Sequence, residues 1–331
     1  MLGEANYYSN YHVGYRSTRK TTFKKFIFWA AALIIVSLIA LFILNLFIPS
    51  NSKSLSIISP LAENVNFEVV SVNTEPRENQ QLTAIVAESV KGKNGTYAVA
   101  VLNLKTGEEY YLNKHRVFDS ASLYKLWIMG YAYKKIENGL LDKNLLISDS
   151  IENLNRIFNI ASESAEKNIG GISLTVKNAL DQMISRSDNY SALLLSSKLG
   201  LSNVKIYLNE YGLSNSNIGT KDSNPTTTVY DTFQFLYKLY YGELANQEYT
   251  DEMLSILKKQ VINQKLPKYL PDSLDISHKT GELGKFSHDA GIVYANNGPY
   301  IIVVLSETNS KNNADETIAN ISQEVYNYFE K

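Results

Sequence analysis

The stretch Leu274-Asp-Ile-Ser277-His-Lys279-Thr280-Gly281, continued by Ala290-Gly-Ile-Val-Tyr294 and Tyr300-Ile-Ile-Val-Val-Leu305, reads as three successive strands. Each run is short, apolar and rich in β-branched residues, which suits a pleated, buried surface better than a helix. A helical pattern from Ala314 to Phe329 follows. Upstream, Tyr97 to Leu104 and Glu109 to Leu112 read as two more strands, with Thr106-Gly107 as the hairpin turn between them. Before that hairpin, Leu82, Ile85, Val86 and Val90 recur at helical spacing. From Ser122 to about Tyr241 the pattern is helical throughout. Helix, two strands, many helices, three strands, helix is an α+β order. It predicts one antiparallel sheet, flanked by helices, whose strands come from both sides of an inserted all-helical subdomain.

The chain has 331 residues and is 44% hydrophobic, enough for a sizeable core. Its formal net charge of −1 argues against nucleic acid as a partner. The basic residues that do cluster are Arg16, Arg19, Lys20, Lys24 and Lys25. They precede an apolar stretch from Phe26 to Ile48, interrupted only by Ser37 and Asn45. As a helix this stretch reaches roughly 34 Å, against a hydrocarbon core of about 30 Å. It is longer than a cleaved signal's apolar region, and positive charge lies on its N-terminal side. The expectation is therefore one uncleaved transmembrane helix at 26–48, a cytoplasmic tail at 1–25 and everything that follows outside the cell membrane. Residues 49–76 read as a tether, with a coil length of about 30 Å. Residues 77–331 read as the extracytoplasmic domain. No cysteine is present, and His12, His115, His278 and His288 form no pair at metal-ligand spacing. Neither a metal nor a cofactor is expected.

Three short motifs occur in this order: Ser122-Leu-Tyr-Lys125, Ser187-Asp188-Asn189 and Lys279-Thr280-Gly281. Singly each is common. Ser-x-x-Lys spacing recurs at Ser17, Ser50, Ser164, Ser202 and Ser255, and Lys105-Thr106-Gly107 repeats the third motif inside the hairpin turn. Context selects among the copies. Only Ser122 heads a long apolar run, Ser187-Asp188-Asn189 is unique, and Lys279 follows a strand. A serine hydroxyl needs a neighbouring base to become a nucleophile. Ser122 at a helix start puts Lys125 one turn on, on the same face. Lysine acts as a base only when burial or a second cation lowers its pKa, and Lys279 suits that second position.

The ordered trio resembles the signature of class A β-lactamases and the wider penicillin-recognising serine hydrolases. The stretch from Met183 to Ala192 and Pro225-Thr226-Thr227-Thr228 also resemble that family, so the likeness covers roughly residues 77 to 331. The resemblance implies a β-lactamase/transpeptidase-like fold and acyl transfer through an ester on Ser122. Lys125 and Ser187 are then the proton-transferring partners. Asn189 holds Lys125 and the substrate amide, while Lys279 and Thr280 receive a substrate carboxylate. Gly281 lets the backbone approach the ligand, and the backbone N–H groups of Ser122 and Glu282 form an oxyanion hole.

One family feature is missing. Class A members hydrolyse the acyl-enzyme with a loop glutamate lying between the second motif and the Thr-Thr segment. In this chain that interval holds only Asp188, Glu210 and Asp222, and the Glu-x-x-x-Asn pattern is absent. Asp188 belongs to a motif and Glu210 to an apparent helix, which leaves Asp222 as the one candidate base. The expectation is β-lactam hydrolysis with slow deacylation. The alternatives are a D-alanyl-D-alanine peptidase or transpeptidase acting on peptidoglycan peptides, and a non-catalytic cell-wall-binding module. No protein partner can be named from the sequence.

Overall fold

A computed structural model describes residues 80–219 and 223–331. The expected tail, anchor and tether, and Asp222, lie outside the described residues. Among the described residues no helix is long and apolar enough to cross a membrane.

Helix α1 (Gln80–Val90) leads into strands β1 (Thr96–Asn103) and β2 (Glu109–Leu112). After a long helical insertion come β7 (Ile276–Leu283), β8 (Phe286–Val293), β9 (Tyr300–Glu307) and helix α9 (Lys311–Phe329). The sheet order is β2-β1-β9-β8-β7, antiparallel throughout, with β1 paired to β9 from Thr96↔Glu307 to Asn103↔Tyr300. The expected sheet assembled from both sides of the insertion is therefore present.

Alternation along the strands explains why they read as unbroken apolar runs. Ile301, Val303 and Leu305 of β9 face one core, together with Ala98 and Ala100 of β1. Tyr300, Ile302 and Val304 face the other, with Val99 and Val101. The second core is closed by Leu82 and Val86 of α1 and by Ile318, Ile321 and Val325 of α9. A sheet covered on both faces has no polar side to alternate with.

The insertion carries helices α2 (Tyr124–Glu137), α3 (Ile151–Ile157), α4 (Val176–Ser185), α5 (Asn189–Leu199), α6 (Leu201–Glu210), α7 (Val229–Tyr240) and α8 (Gln247–Lys258). Residues 125–133, the greater part of α2, are all buried. A helix apolar on every side must be central, and α2 runs through the larger core with Trp127 fully enclosed.

The expectation of an all-helical insertion needs correction. Strands β4 (Leu146–Ser150) and β5 (Gly171–Thr175) pair antiparallel within it, in register Leu146↔Thr175 to Ser150↔Gly171. A further short pair, β3 (Phe118–Asp119) with β6 (Thr226–Thr227), lies beside the nucleophile's turn. These strands are short and mostly half exposed, and their partners are distant in sequence, so local periodicity does not reveal them.

Candidate active site

Ser122 does not lie on the α-helix itself. It occupies a 3₁₀ turn, Ala121–Leu123, that feeds directly into α2. Ala121 has φ +45°, a left-handed conformation unusual outside glycine. The surroundings hold the turn there from three directions. The Ser120 N–H donates to the Pro225 carbonyl at 2.8 Å. His288 Nε2 donates to the Asp119 carbonyl at 2.8 Å, while His288 Nδ1 accepts the Ser306 N–H at 3.1 Å. That pattern fixes a neutral Nε2–H imidazole, and burial lowers its pKa to about 4. The third support is Gly281 on edge strand β7. A Cβ there would stand 3.1 Å from the Ser120 carbonyl oxygen and 3.3 Å from both Ala121 Cβ and Leu123 Cγ. The missing side chain is what lets the turn rest on the strand.

Pro225-Thr226-Thr227-Thr228 acts as a brace. Thr226 and Thr227 form β6, Pro225 binds Ser120, and Thr228 caps α7 by accepting the Asp231 N–H at 3.1 Å.

The second motif lies between α4 and α5. Ser187 has φ +58°, and the Asp188 carboxylate caps α5 by accepting the Ser191 N–H at 2.6 Å. Asp188 is therefore a structural member of its motif. This tight connection turns the Ser187 backbone and side chain and the Asn189 amide toward Lys125. Lys125 Nζ donates to Ser187 O at 2.6 Å and Asn189 Oδ1 at 2.7 Å, and lies 3.2 Å from Ser187 Oγ. From the opposite side Lys279 Nζ donates to Ser187 Oγ at 2.9 Å and to Thr280 O at 2.7 Å. One hydroxyl thus stands between two buried amines.

Burial is the first cause of the shift at Lys125, lowering its pKa to about 8, while the charges of Asp188 and Glu166 oppose it. Lys279 is likewise pushed down, well below its ordinary value, by burial and then by Lys125. The sequence points to burial beside a second cation as the agent at Lys125. In the structure desolvation is the first cause at both lysines, with the neighbouring Lys125 next at Lys279. Two ammonium groups sharing Ser187 Oγ are disfavoured, so the pair gives up a proton more readily than ordinary lysines.

The structure brings together Lys125, Ser187, Asn189 and Lys279, and rests the turn that carries Ser122 on Gly281. Thr280 is buried in β7. The Glu282 side chain is directed elsewhere: its carboxylate pairs with Lys265 at 3.0 Å and Lys311 at 3.2 Å. Only its backbone is left for the site. Lys265 is fully buried and also reaches the carbonyls of Gly281 and His288, at 3.4 and 3.2 Å.

Three residues of this neighbourhood escape sequence reasoning. Lys265 and His288 give no motif. Glu166, in the connection between α3 and β5, accepts from Asn189 Nδ2 at 2.5 Å. Its only sequence signal is a carboxylate in the polar run Ser162-Glu-Ser-Ala-Glu166, inside the stretch read as helical.

The sequence model described as the Beta-lactamase enzyme family matches residues 79–329. Comparison with curated proteins gives no match. Among solved structures, PBP-A is 24% identical with a TM-score of 0.67, covering 77% of this chain and 98% of its own. The β-lactamase from Sphaerobacter thermophilus is 23% identical with a TM-score of 0.67, covering 75% and 97%. A PBP-A mutant described as an acyl-enzyme complex with penicillin G is 24% identical, again at 0.67, covering 78% and 99%. At these identities the likeness to solved structures speaks for the fold.

Proposed function

Since this chain belongs to the β-lactamase enzyme family of serine hydrolases, we propose that it forms an acyl-enzyme at Ser122 with β-lactams and releases the acyl group slowly. The observation that carries this reading is the Lys125–Ser187–Lys279 relay, at 3.2 and 2.9 Å, next to the nucleophile's turn. Ser122 Oγ attacks the carbonyl carbon of the scissile amide, and its proton passes to the deprotonated amine of the lysine pair. Collapse of the tetrahedral intermediate breaks the C–N bond. Ser187 hands a proton to the leaving nitrogen and recovers one from the lysines, which leaves the ester on Ser122. The backbone N–H groups of Ser122 and Glu282 serve the developing oxyanion, a contribution of about 3 kcal/mol per donor. Lys279 and Thr280 receive the substrate carboxylate, which also restores the favourable charge state of a buried lysine. Asn189 orients the acyl amide.

Slow release is supported by the two carboxylates that lie among the described residues between the second motif and β6. Asp188 is committed to its helix cap, and Glu210 sits at the exposed end of α6. A second reading is favoured by the same observation: a D-alanyl-D-alanine peptidase or transpeptidase of peptidoglycan peptides. Both substrates place an amide next to a carboxylate.

The basic run before Phe26 and the apolar run to Ile48 support a single membrane anchor, with the hydrolase domain extracytoplasmic.

Incubation with a chromogenic cephalosporin, followed by intact mass measurement, tests the reading. The expected result is a persistent adduct that maps to Ser122 and is lost in Ser122→Ala. Rapid steady hydrolysis without adduct would overturn slow release. Ligand binding that survives Ser122→Ala without any labelling of wild type would leave only the non-catalytic module.

A further inference from the structure

The sheet edge formed by β2 carries an aromatic cleft that the acylation chemistry does not use. The cleft holds about 550 Å³, and Tyr111, Lys114, Tyr230, Gln234, Tyr237 and Tyr241 line it. Strand β2 lies four strand spacings, about 19 Å, from the opposite edge strand β7, which bears Lys279. Residues 230, 234, 237 and 241 recur at helical spacing, so one face of α7 and its C-cap present three tyrosines and an amide to the cleft. Tyr241 is 50% exposed, and its ring centroid stands 4.7 Å from that of Tyr237.

At the other end, Lys114 Nζ lies 4.2 Å from the Tyr111 ring centroid and 4.5 Å from that of Tyr230. Among the described residues this ammonium has no carboxylate partner. The Gln234 amide and the hydroxyls of Tyr230, Tyr237 and Tyr241 likewise have no hydrogen-bond partner among them. The acid in the same lining, Glu109, is engaged by Tyr111 Oη at 3.3 Å. Aromatic faces, open hydrogen-bonding groups and one unneutralised cation therefore share a single cleft. Such a set suits a sugar polymer, because a pyranose lays its C–H face on an aromatic ring and needs polar partners for its hydroxyl rim. Tyr230 and Tyr237 stand two helical turns apart, about 10.5 Å along α7. That is close to the length of one disaccharide in an extended β-1,4-linked chain. The free ammonium adds a preference for a carboxylate that recurs once per disaccharide.

We propose that this cleft binds the glycan strand of the cell wall, a linear β-1,4-linked chain of N-acetylated sugars with a carboxylate on every second unit. Sugar rings lie on Tyr237 and Tyr241, Gln234 pairs with an acetamido group, and Lys114 meets the carboxylate. The choice of the wall polymer among acidic glycans rests on the extracytoplasmic reading of the domain, whereas the ring spacing and the unpaired ammonium do not depend on it. Anchored to its polymer at one edge of the sheet, the domain keeps the Ser122 cleft at the other edge free for acyl donors.

Calorimetric titration of the full chain in a sugar-free detergent tests this with three tetrasaccharides: peptide-free wall glycan, chitotetraose and cellotetraose. The wall glycan should bind tightest, about fivefold better than chitotetraose, a ratio in keeping with a partly exposed charge pair. Lys114→Met should abolish that advantage, and Tyr241→Ala should weaken the wall glycan about tenfold. Both side chains lie outside the acylation site, so melting and penicillin labelling of Ser122 should match wild type in both variants. No binding of the wall tetrasaccharide, or equal binding by wild type and Tyr241→Ala, would overturn the proposal. Equal affinity for cellotetraose would overturn the assignment to the wall polymer. Isolated oligosaccharides report on the cleft wherever the chain resides, and labelling is scored on the same samples. Failure here is thereby distinguished from failure of the anchor or of the acyl-enzyme.

Discussion

His288 Nε2 is bonded to the carbonyl of Asp119, three residues before Ser122, so a buried imidazole on the central sheet fastens the nucleophile's turn. This imidazole is neutral in the fold, and protonation would end its acceptance of the Ser306 N–H.

Stability should therefore fall in acid for a definable reason. Burial lowers the His288 pKa from 6.5 to about 4, so between those values the unfolded chain binds the extra proton and the folded chain does not. The cost is absent above pH 6.5, grows as pH falls and is complete below about pH 4, where it amounts to about 3 kcal/mol. Urea unfolding at pH 4, 5, 6 and 7 measures it. His288→Gln should start less stable, yet lose less across that range.

Acylation should rise with pH through a midpoint well under the ordinary lysine value. Burial holds Lys125 at about 8 and also lowers Lys279, so the base form grows in as pH climbs from neutrality. Pre-steady-state labelling from pH 6 to 9 gives the profile. Lys125→Met should lose about 10²- to 10⁴-fold in the acylation constant and flatten its pH dependence.

Asp188 offers a way to separate cap from charge. Asp188→Ala removes the acceptor for the Ser191 N–H and should lower stability by about 1 kcal/mol. Asp188→Asn keeps an equally good cap while removing a negative charge that supports protonated Lys125. Thermal melts should distinguish the first variant from wild type but not the second. In Asp188→Asn the acylation profile should move to lower pH.

Gly281→Ala should reach the nucleophile through the backbone. The added carbon would meet the Ser120 carbonyl at 3.1 Å and Ala121 and Leu123 at 3.3 Å, so the turn must give by a few tenths of an ångström. Expected are a stability loss of about 1 kcal/mol and a disproportionate drop of about tenfold or more in acylation, since misplacement at a reacting centre is amplified. Parallel melts and labelling rates test the disproportion.

Much of this was legible in sequence because its signals are local. The strands of the sheet announce themselves through Tyr300 to Leu305 and its neighbours, and the helix of Lys125 through the apolar run Leu126 to Tyr133. Motif order singles out Lys125, Ser187, Asn189 and Lys279, and the structure places these four within hydrogen-bonding reach of one another. What stays hidden depends on tertiary contact. Asp188 looks like a chemical member of its motif until its cap is seen. His288, buried in an alternating strand, reads as any core polar residue. The β4–β5 pair joins stretches separated by a helix and a polar loop, and in that loop Glu166 stands beside an amide 23 residues away. Lys265 gives no hint that it sits beneath the Gly281 carbonyl.

The pairing of β1 with β9 has a temporal corollary during synthesis. A ribosome delivers Ser122 and Lys125 well before Lys279, and the central sheet cannot close until the residues of β9 have emerged. Until then the serine has neither its second amine nor the strand against which its turn is set. The nascent chain is thus chemically disarmed along most of its route, and reactivity arrives together with the completed fold.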